Sequence, residues 1–559
     1  IIVVGLILRL WGIDFGLPFQ FHQDEPIVVN HALAFGSGDL NPHFFNIPPL
    51  TSYILFVIYA GYYLIGMLCG LFNTPDTFIV NIFKNPSVIY ILGRVAIGII
   101  PGTLCIFFVY KFAKNIFSKT IALYAALIMS VCSLNVVNSH YIYADMLLVL
   151  FIVISCSCIF NMFKNPSMKA YIIAAIFLGL AISTKYNAAV LGVTFFLAHI
   201  FIILKEKRRY FEIIFSKKLF LGISTVLFVF IFTNPYSIIS FREFFSSFTN
   251  QAQATWYMGW QHHITYSLNE SVSFPVLLFG AMGLLFVLLR HKAKGALFVS
   301  FPVVFYLSLV FFSQSFPRYV LALVPFVAIG AAYFIFDVLG SYCKSAFSKV
   351  SLSLLAVFLI VPMFAFSIKS DALFSSKDTR VISANWIKDN LPLGSKIACD
   401  STFFRPALEQ PYSQIREKIG VLNKQPALKG LKTKKLELQL KSMDENYVGF
   451  PIYFLAQDPA SQGQFLNTTP ALDLDVYALM QSGIDYVTID YAWMDNTKEA
   501  FIKTLKQNST LINSFSPYYD ESIRLPYDKF ELTCLPLGRQ ELLSRNRTGQ
   551  ALEIYKLKK

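Results

Sequence analysis

Charge is what this chain has least of. Asp, Glu, Lys and Arg make up 14% of its 559 residues, about half the usual share. So few charges cannot clothe one water-soluble globule of this size. Cysteine is also sparse, at eight. Five of the eight (Cys69, Cys105, Cys132, Cys156, Cys158) lie in apolar runs and read as inert packing. Cys399 and Cys534 stand in a polar C-terminal part, where one disulfide is open but not established by sequence. That part has no nucleophile elbow, phosphate-binding loop or paired-cysteine metal site, and the chain has no solenoid-type repeat.

Apolar residues are plentiful, at 55%, with 56 phenylalanines. They fall in unbroken runs near 1–13, 51–72, 88–110, 120–138, 142–162, 170–184, 188–204, 219–236, 273–290, 297–312, 318–339 and 350–367. Runs of that length indicate a polytopic α-helical membrane protein. The first run has no small-residue cleavage site and reads as an anchor. Because Ile1 is not Met, a preceding cytoplasmic segment is expected.

The net charge of +14 points to membrane topology rather than nucleic acid. Sixteen cations, from Lys111 to Lys349, fall in alternate loops, whereas the intervening loops hold only Lys185, Arg242 and Arg318. The cation-rich loops are expected to be cytoplasmic. The split keeps loop 14–50 on the outer side only if run 51–72 lies along the surface. Tyr53, Tyr59, Tyr62 and Tyr63 suit that juxtamembrane position. Eleven crossings follow, with the N-terminus inside and the C-terminus outside. The expected division is a membrane module, 1–369, and an outer α/β domain, 370–559. In the latter, 379–388 has helical spacing, 396–399, 483–490 and 551–557 read as strands, and 411–445 reads as a surface excursion.

The outer loops carry the polar chemistry. His22-Gln23-Asp24-Glu25-Pro26 sets two carboxylates in an oily context. With Pro26 opening a helix, Glu25 is expected at its cap, held by helix-end amides. A plain helix cap is the bland reading, and a general base at the membrane surface the sharper one. Loop 138–145 contains His140 and Asp145, and Lys185 joins two helices. Loop 234–272 carries Trp256, Trp260, His262 and His263, and Arg318-Tyr319 opens a later helix. Six of eight histidines, His22, His31, His43, His140, His262 and His263, share this side. They would allow a divalent metal, but no tight spacing such as HxxxH occurs, and no cofactor is required. Arg94 lies about two turns inside its helix, where an arginine is either paired or snorkels to the headgroups. Lys185 and Arg318, at helix ends, would suit lipid-headgroup anchoring as well as ligand binding.

One carboxylate with several cations at the membrane edge fits sugar transfer from a lipid phosphate to a hydroxyl. The acceptor needs a base and the leaving phosphate only positive charge. Glycoside hydrolysis would call for two opposed carboxylates. A transporter would favour charges at mid-membrane and would not need an outer domain of 190 residues. A transporter or scaffold for lipid-linked glycans remains the alternative.

Several stretches resemble the GT-C glycosyltransferases, specifically the protein O-mannosyltransferase and aminoarabinose-transferase-like group, glycosyltransferase family 39. His22-Gln23-Asp24-Glu25-Pro26 is similar to the family's Asp-Glu motif, and Pro48-Pro49-Leu50 to its His-Pro-Pro-Leu segment. Gly93-Arg94 resembles its second-helix arginine, Arg318-Tyr319 with Pro325 its Arg-Tyr…Pro helix start, and 378–394 the opening of its C-terminal domain. Asn46-Ile47 stands where the family often has His, so that role does not carry over; His43 is a candidate replacement. The resemblance implies a polyprenyl-phosphate monosaccharide donor, inversion, a non-cytoplasmic site, and a protein, lipid or glycan acceptor. It implies Asp24 as base and Glu25 as an aid to placement. Arg94, Lys185 and Arg318 with Tyr319 are phosphate candidates, Lys185 by position alone. His22, His43, His140, Asp145, His262 and His263 are candidate substrate or metal contacts.

Overall fold

The computed structural model describes residues 1–559 except 254–258, 312–314, 344, 402–403, 424–430, 456–471, 493, 525–534, 537 and 559. Among the described residues, eight helices are long and apolar enough to cross a membrane, from Leu50–Leu68 to Ala346–Asn390. Two shorter apolar helices, Lys119–Val131 and Met168–Thr184, lie between them. Helix Phe274–Phe311 breaks at Lys292, where φ is 42°, and so supplies the two separate runs expected there. The chain is a polytopic α-helical membrane protein with a C-terminal α/β domain. Leu50–Leu68 has the length and composition of a span, so its surface placement rests on the loop charges and its tyrosines.

Local signals start the helices. Ser118 and Ser167 accept hydrogen bonds from the amides of Ile121 and Ala170, at the mouths of cation-bearing loops. Small residues then let the helices touch. A Cβ on Gly283 would land on the Gly330 carbonyl, so the two backbones meet directly. Likewise a Cβ on Gly98 would strike the Ser139 carbonyl, so Gly98 admits loop 138–143 against its helix.

The C-terminal domain is built on a five-stranded sheet: β1 (Ile397–Cys399), β2 (Ile452–Phe454), β3 (Tyr486–Asp490), β4 (Ser509–Phe515) and β5 (Leu552–Leu557), in the order β2-β1-β3-β5-β4. The first three are parallel and β5 is antiparallel to both neighbours. Strands β1, β3 and β5 match the sequence reading. β2 and β4 escaped it, β4 lacking an apolar run. Stretch 411–445, read as a surface excursion, holds helices Tyr412–Asn423 and Leu431–Lys441. The second helix returns to the membrane module, with Lys441 3.1 Å from Asp76 and Lys435 donating to Asn30. Cys399 is a buried free thiol, and Cys534 lies outside the described residues.

Candidate active site

The acidic pair divides its work. Helix Glu25–Ala34 begins one residue earlier than expected, with Asp24 at the N-cap and no side-chain cap. The amides of Asp24 and Glu25 are instead taken by His22, whose Nδ1 accepts both, at 3.2 and 3.3 Å. That nitrogen must carry a lone pair. Burial, helped by Arg318 and Arg94, holds the His22 imidazole well below its ordinary range, hence neutral.

Glu25 is not held by helix-end amides. Its oxygens receive Nε and Nη2 of Arg94 at 2.9 and 2.8 Å and the Ile142 amide at 3.0 Å. Both side chains of this pair are 0% exposed. Arg94 Nη1 donates to the carbonyls of Ile13 and Phe15, and the guanidinium lies 3.9 Å from the Phe15 ring. Arg94 therefore neither snorkels nor presents a fork to a ligand. It ties the segment around Ile13–Glu25 to a stretch of π-helix, Arg94–Ile99. The expectation that Arg94 binds phosphate is corrected accordingly.

Asp24 faces another way. Its Oδ2 lies 3.1 Å from Arg318 Nη2, and Arg318 Nε is 3.7 Å from Asp145 Oδ2. Lys185 Nζ donates to Asp145 Oδ1 at 2.8 Å. The four side chains come from four parts of the chain, each at a helix end. Asp145 is in the first turn of Ala144–Lys164, Lys185 follows Met168–Thr184, and Arg318 follows Pro317 at the start of Pro317–Leu323. The helix dipole favours the anions Asp24 and Asp145 at N-termini and the cation Lys185 at a C-terminus, and opposes Arg318 at an N-terminus, where the carboxylates hold it.

Aromatic faces wall the cluster. Arg318 lies over Phe316 at 4.6 Å and Tyr143 at 5.2 Å, and Lys185 over Tyr319 at 4.3 Å. Tyr319 thus supports the cations through its ring. Asp24 Oδ2, Asp145 Oδ2 and Arg318 Nε are buried without a hydrogen-bond partner among the described residues. All three are held as ion pairs instead, Asp24 Oδ2 with Arg318 at 3.1 Å and Asp145 Oδ2 with Arg318 Nε at 3.7 Å. Burial pushes the Asp24 carboxyl up and Arg318 pulls it back, with a net upward shift. Burial pushes Lys185 down against the pull of Asp145. On the far side of Arg318, a cavity of about 30 Å³ reaches Glu270, Arg539 and Leu535, so the C-terminal domain roofs this corner.

The remaining candidates do not join the cluster. His140 binds the Val136 and Trp11 carbonyls, His262 faces the Ser315 carbonyl, and His263 the Ser267 hydroxyl. His43 lies on an exposed rim, 3.0 Å from both Asp39 and Glu243, and clips loop 38–43 to helix Phe241–Gln253. Trp256 lies outside the described residues. No group of three or more His, Cys, Asp or Glu among the described residues could hold a metal ion. Arg9 and Asp371 are among the buried ionisable residues that escaped the sequence reading. Arg9 donates to the carbonyls of Gly5, Ser130 and Met129 and to the Ser139 hydroxyl, and Asp371 lies 3.9 Å from His140. Arg9 was hidden in the first apolar run, where a lone cation among hydrophobes was the available signal.

Residues 77–236 match the family described as dolichyl-phosphate-mannose-protein mannosyltransferase. That segment contains Arg94, Asp145 and Lys185, whereas Asp24 and Arg318 lie outside it. Among solved structures, ArnT from Cupriavidus metallidurans in the apo state is 13% identical, with 99% of this chain and 96% of that chain covered and a TM-score of 0.49. The same protein bound to undecaprenyl phosphate is 14% identical, with coverages of 91% and 95% and a TM-score of 0.49. The Archaeoglobus fulgidus oligosaccharyltransferase in the apo form is 12% identical, with coverages of 92% and 72% and a TM-score of 0.48. No curated protein matches the sequence.

Proposed function

We propose that this chain is a membrane glycosyltransferase that moves a monosaccharide from a polyprenyl phosphate to an acceptor hydroxyl, with inversion, on the non-cytoplasmic face. The observation that carries the reading is the buried Asp24–Arg318 pair, a carboxylate and a guanidinium 3.1 Å apart, with Asp145 and Lys185 beside it. The family match over residues 77–236 supports the same class.

The chemistry follows from what each group can do. A donor phosphate competes with Asp24 for the guanidinium fork, which suits bidentate phosphate binding. Asp24, released, accepts the acceptor's proton as the hydroxyl oxygen bonds to the anomeric carbon. The bond from that carbon to the phosphate oxygen breaks, and its electron pair leaves with the polyprenyl phosphate. Arg318 and Lys185 stabilise the charge that develops there. Asp145 holds both cations in place, and Glu25 with Arg94 fixes the loop. No metal is assigned a step.

The test uses the purified full chain in lipid with a panel of defined polyprenyl-phosphate sugars and a hydroxyl acceptor. Consumption of one donor with release of polyprenyl phosphate, lost in Asp24→Asn, is expected. Donor moved or bound but left intact across the panel would favour a carrier of lipid-linked glycans.

A further inference from the structure

Asp24 is fixed from behind by Glu25, which Arg94 anchors in the bundle. Ahead of it, residues 20–22 have no regular structure, and no helix sets their path. The bundle holds them at two points, through Tyr90 donating to Gln20 at 2.9 Å and through Phe15 and Tyr141 beside Phe21, and the C-terminal domain holds them at a third. The guanidinium carbon of Arg380 lies 3.7 Å from the centroid of the Phe21 ring. Arg380 is itself locked by Asp378, with Nε and Nη2 each 2.8 Å from a carboxylate oxygen, and both residues are 2–3% exposed. Phe19 and Phe21, their rings stacked at 5.9 Å, pack against the domain core that includes Ala384, Ile387 and Phe450. The next residue, His22, rests on the Tyr141 ring at 4.0 Å and takes the amides of Asp24 and Glu25.

We infer that Arg380 and Phe21 are positioning residues for the Asp24 carboxylate, so that the C-terminal domain sets the aim of the base. This rests on the transferase reading above. Arg318 belongs to the membrane bundle, whereas Phe21 bridges the two, packing against Phe15 and Tyr141 on one side and against Arg380 and the C-terminal domain core on the other, and Asp24 is three residues from that bridge. Cation–π contact in a desolvated site is directional and strong enough to hold a short segment. Displacement of the domain relative to the bundle is therefore passed through Phe21 and His22 to the Asp24–Arg318 distance. A reacting group misplaced by about 1 Å loses on the order of 10²-fold in rate.

The test pairs kinetics with amide hydrogen exchange on the full chain in lipid, using Phe21→Ala, Phe21→Trp and Arg380→Ala. Phe21→Ala leaves the Asp378–Arg380 pair intact and so guards against misfolding of the domain. The expected result is faster exchange at the Asp24 and Glu25 amides, unchanged exchange in Tyr486–Asp490, and kcat lowered by roughly 10- to 10²-fold with little change in donor KM. Phe21→Trp, which keeps an aromatic face, restores both readouts. Wild-type exchange and kcat in Phe21→Ala would overturn the inference. So would a loss that spreads through Tyr486–Asp490 and is not rescued by Trp, because the contact would then be purely structural. Coupled exchange in a wild type that consumes no donor would count against the transferase reading and leave the mechanical link standing.

Discussion

Asp24 and Arg318 are 294 positions apart in sequence and 3.1 Å apart in space, and each is the other's nearest opposite charge. In the proposed reaction, their pairing keeps Asp24 from acting as a base until something else claims the guanidinium. Asp24→Asn is expected to lower turnover by roughly 10²-fold or more, the scale of general-base catalysis. Arg318→Lys keeps the charge but loses the fork, so donor KM should rise while the chain stays folded. Rates at saturating and limiting donor separate the two effects. An Asp24→Asn enzyme near wild type would remove Asp24 from the chemistry.

Glu25 and Arg94 should behave as a structural pair. Removing one partner strands a fully buried charge, at a cost of about 3–5 kcal/mol, so Glu25→Ala and Arg94→Ala should unfold or fail to accumulate. The double variant Glu25→Gln with Arg94→Met should recover part of the thermal stability. The check is the thermal midpoint in detergent for both single variants and the double.

Turnover should climb with pH on its acid limb. Burial raises the Asp24 carboxyl and Arg318 opposes it, so proton loss, and with it activity, comes above the usual carboxylate range. Arg318→Gln removes the opposing charge and should move that limb further up. Stability runs the other way. A raised pKa means the folded state holds the proton more tightly, so this contribution is full in acid and fades as pH rises through the folded value. A kcat/KM profile in which Arg318→Gln moves the limb down would contradict this account.

A second buried charge group lies at the ends of β1 and β3. Lys498 Nζ is 2.6 Å from Asp400 and 3.6 Å from Asp490, all three nearly inaccessible. Burial, helped by the like charge of Asp490, holds the Asp400 carboxyl well above the ordinary carboxylate range. Lys498→Met should cost about 3–5 kcal/mol at neutral pH. The loss should shrink in mild acid, where the surplus carboxylate takes up a proton. Thermal melts of the full chain across pH decide it, and a loss independent of pH would count against a charge origin.

Orientation is checked by cysteine labelling with a membrane-impermeant reagent. Cysteines introduced in loop 14–50 should react from outside and those in loop 205–218 should not. Reaction of both sets, or the reverse, would undo the proposed placement and with it the surface lie of Leu50–Leu68.

The sequence alone determined the membrane class, the positions of the apolar helices, the polar C-terminal domain with three of its strands, and the residues worth suspecting. Those features are local: helix-length apolar runs, charge in alternate loops and short motifs show themselves within a few dozen residues. Tertiary structure decided the partnerships. Asp24 and Glu25 are neighbours with the same chemistry, and nothing in their spacing says that one meets Arg318 and the other Arg94. Nor could spacing show that Asp145 joins Lys185 to Arg318, or that Phe21 is seated on Arg380. Ion pairs and cation–π contacts between distant segments are set by how helices pack and where a domain docks, and a linear pattern does not carry that information.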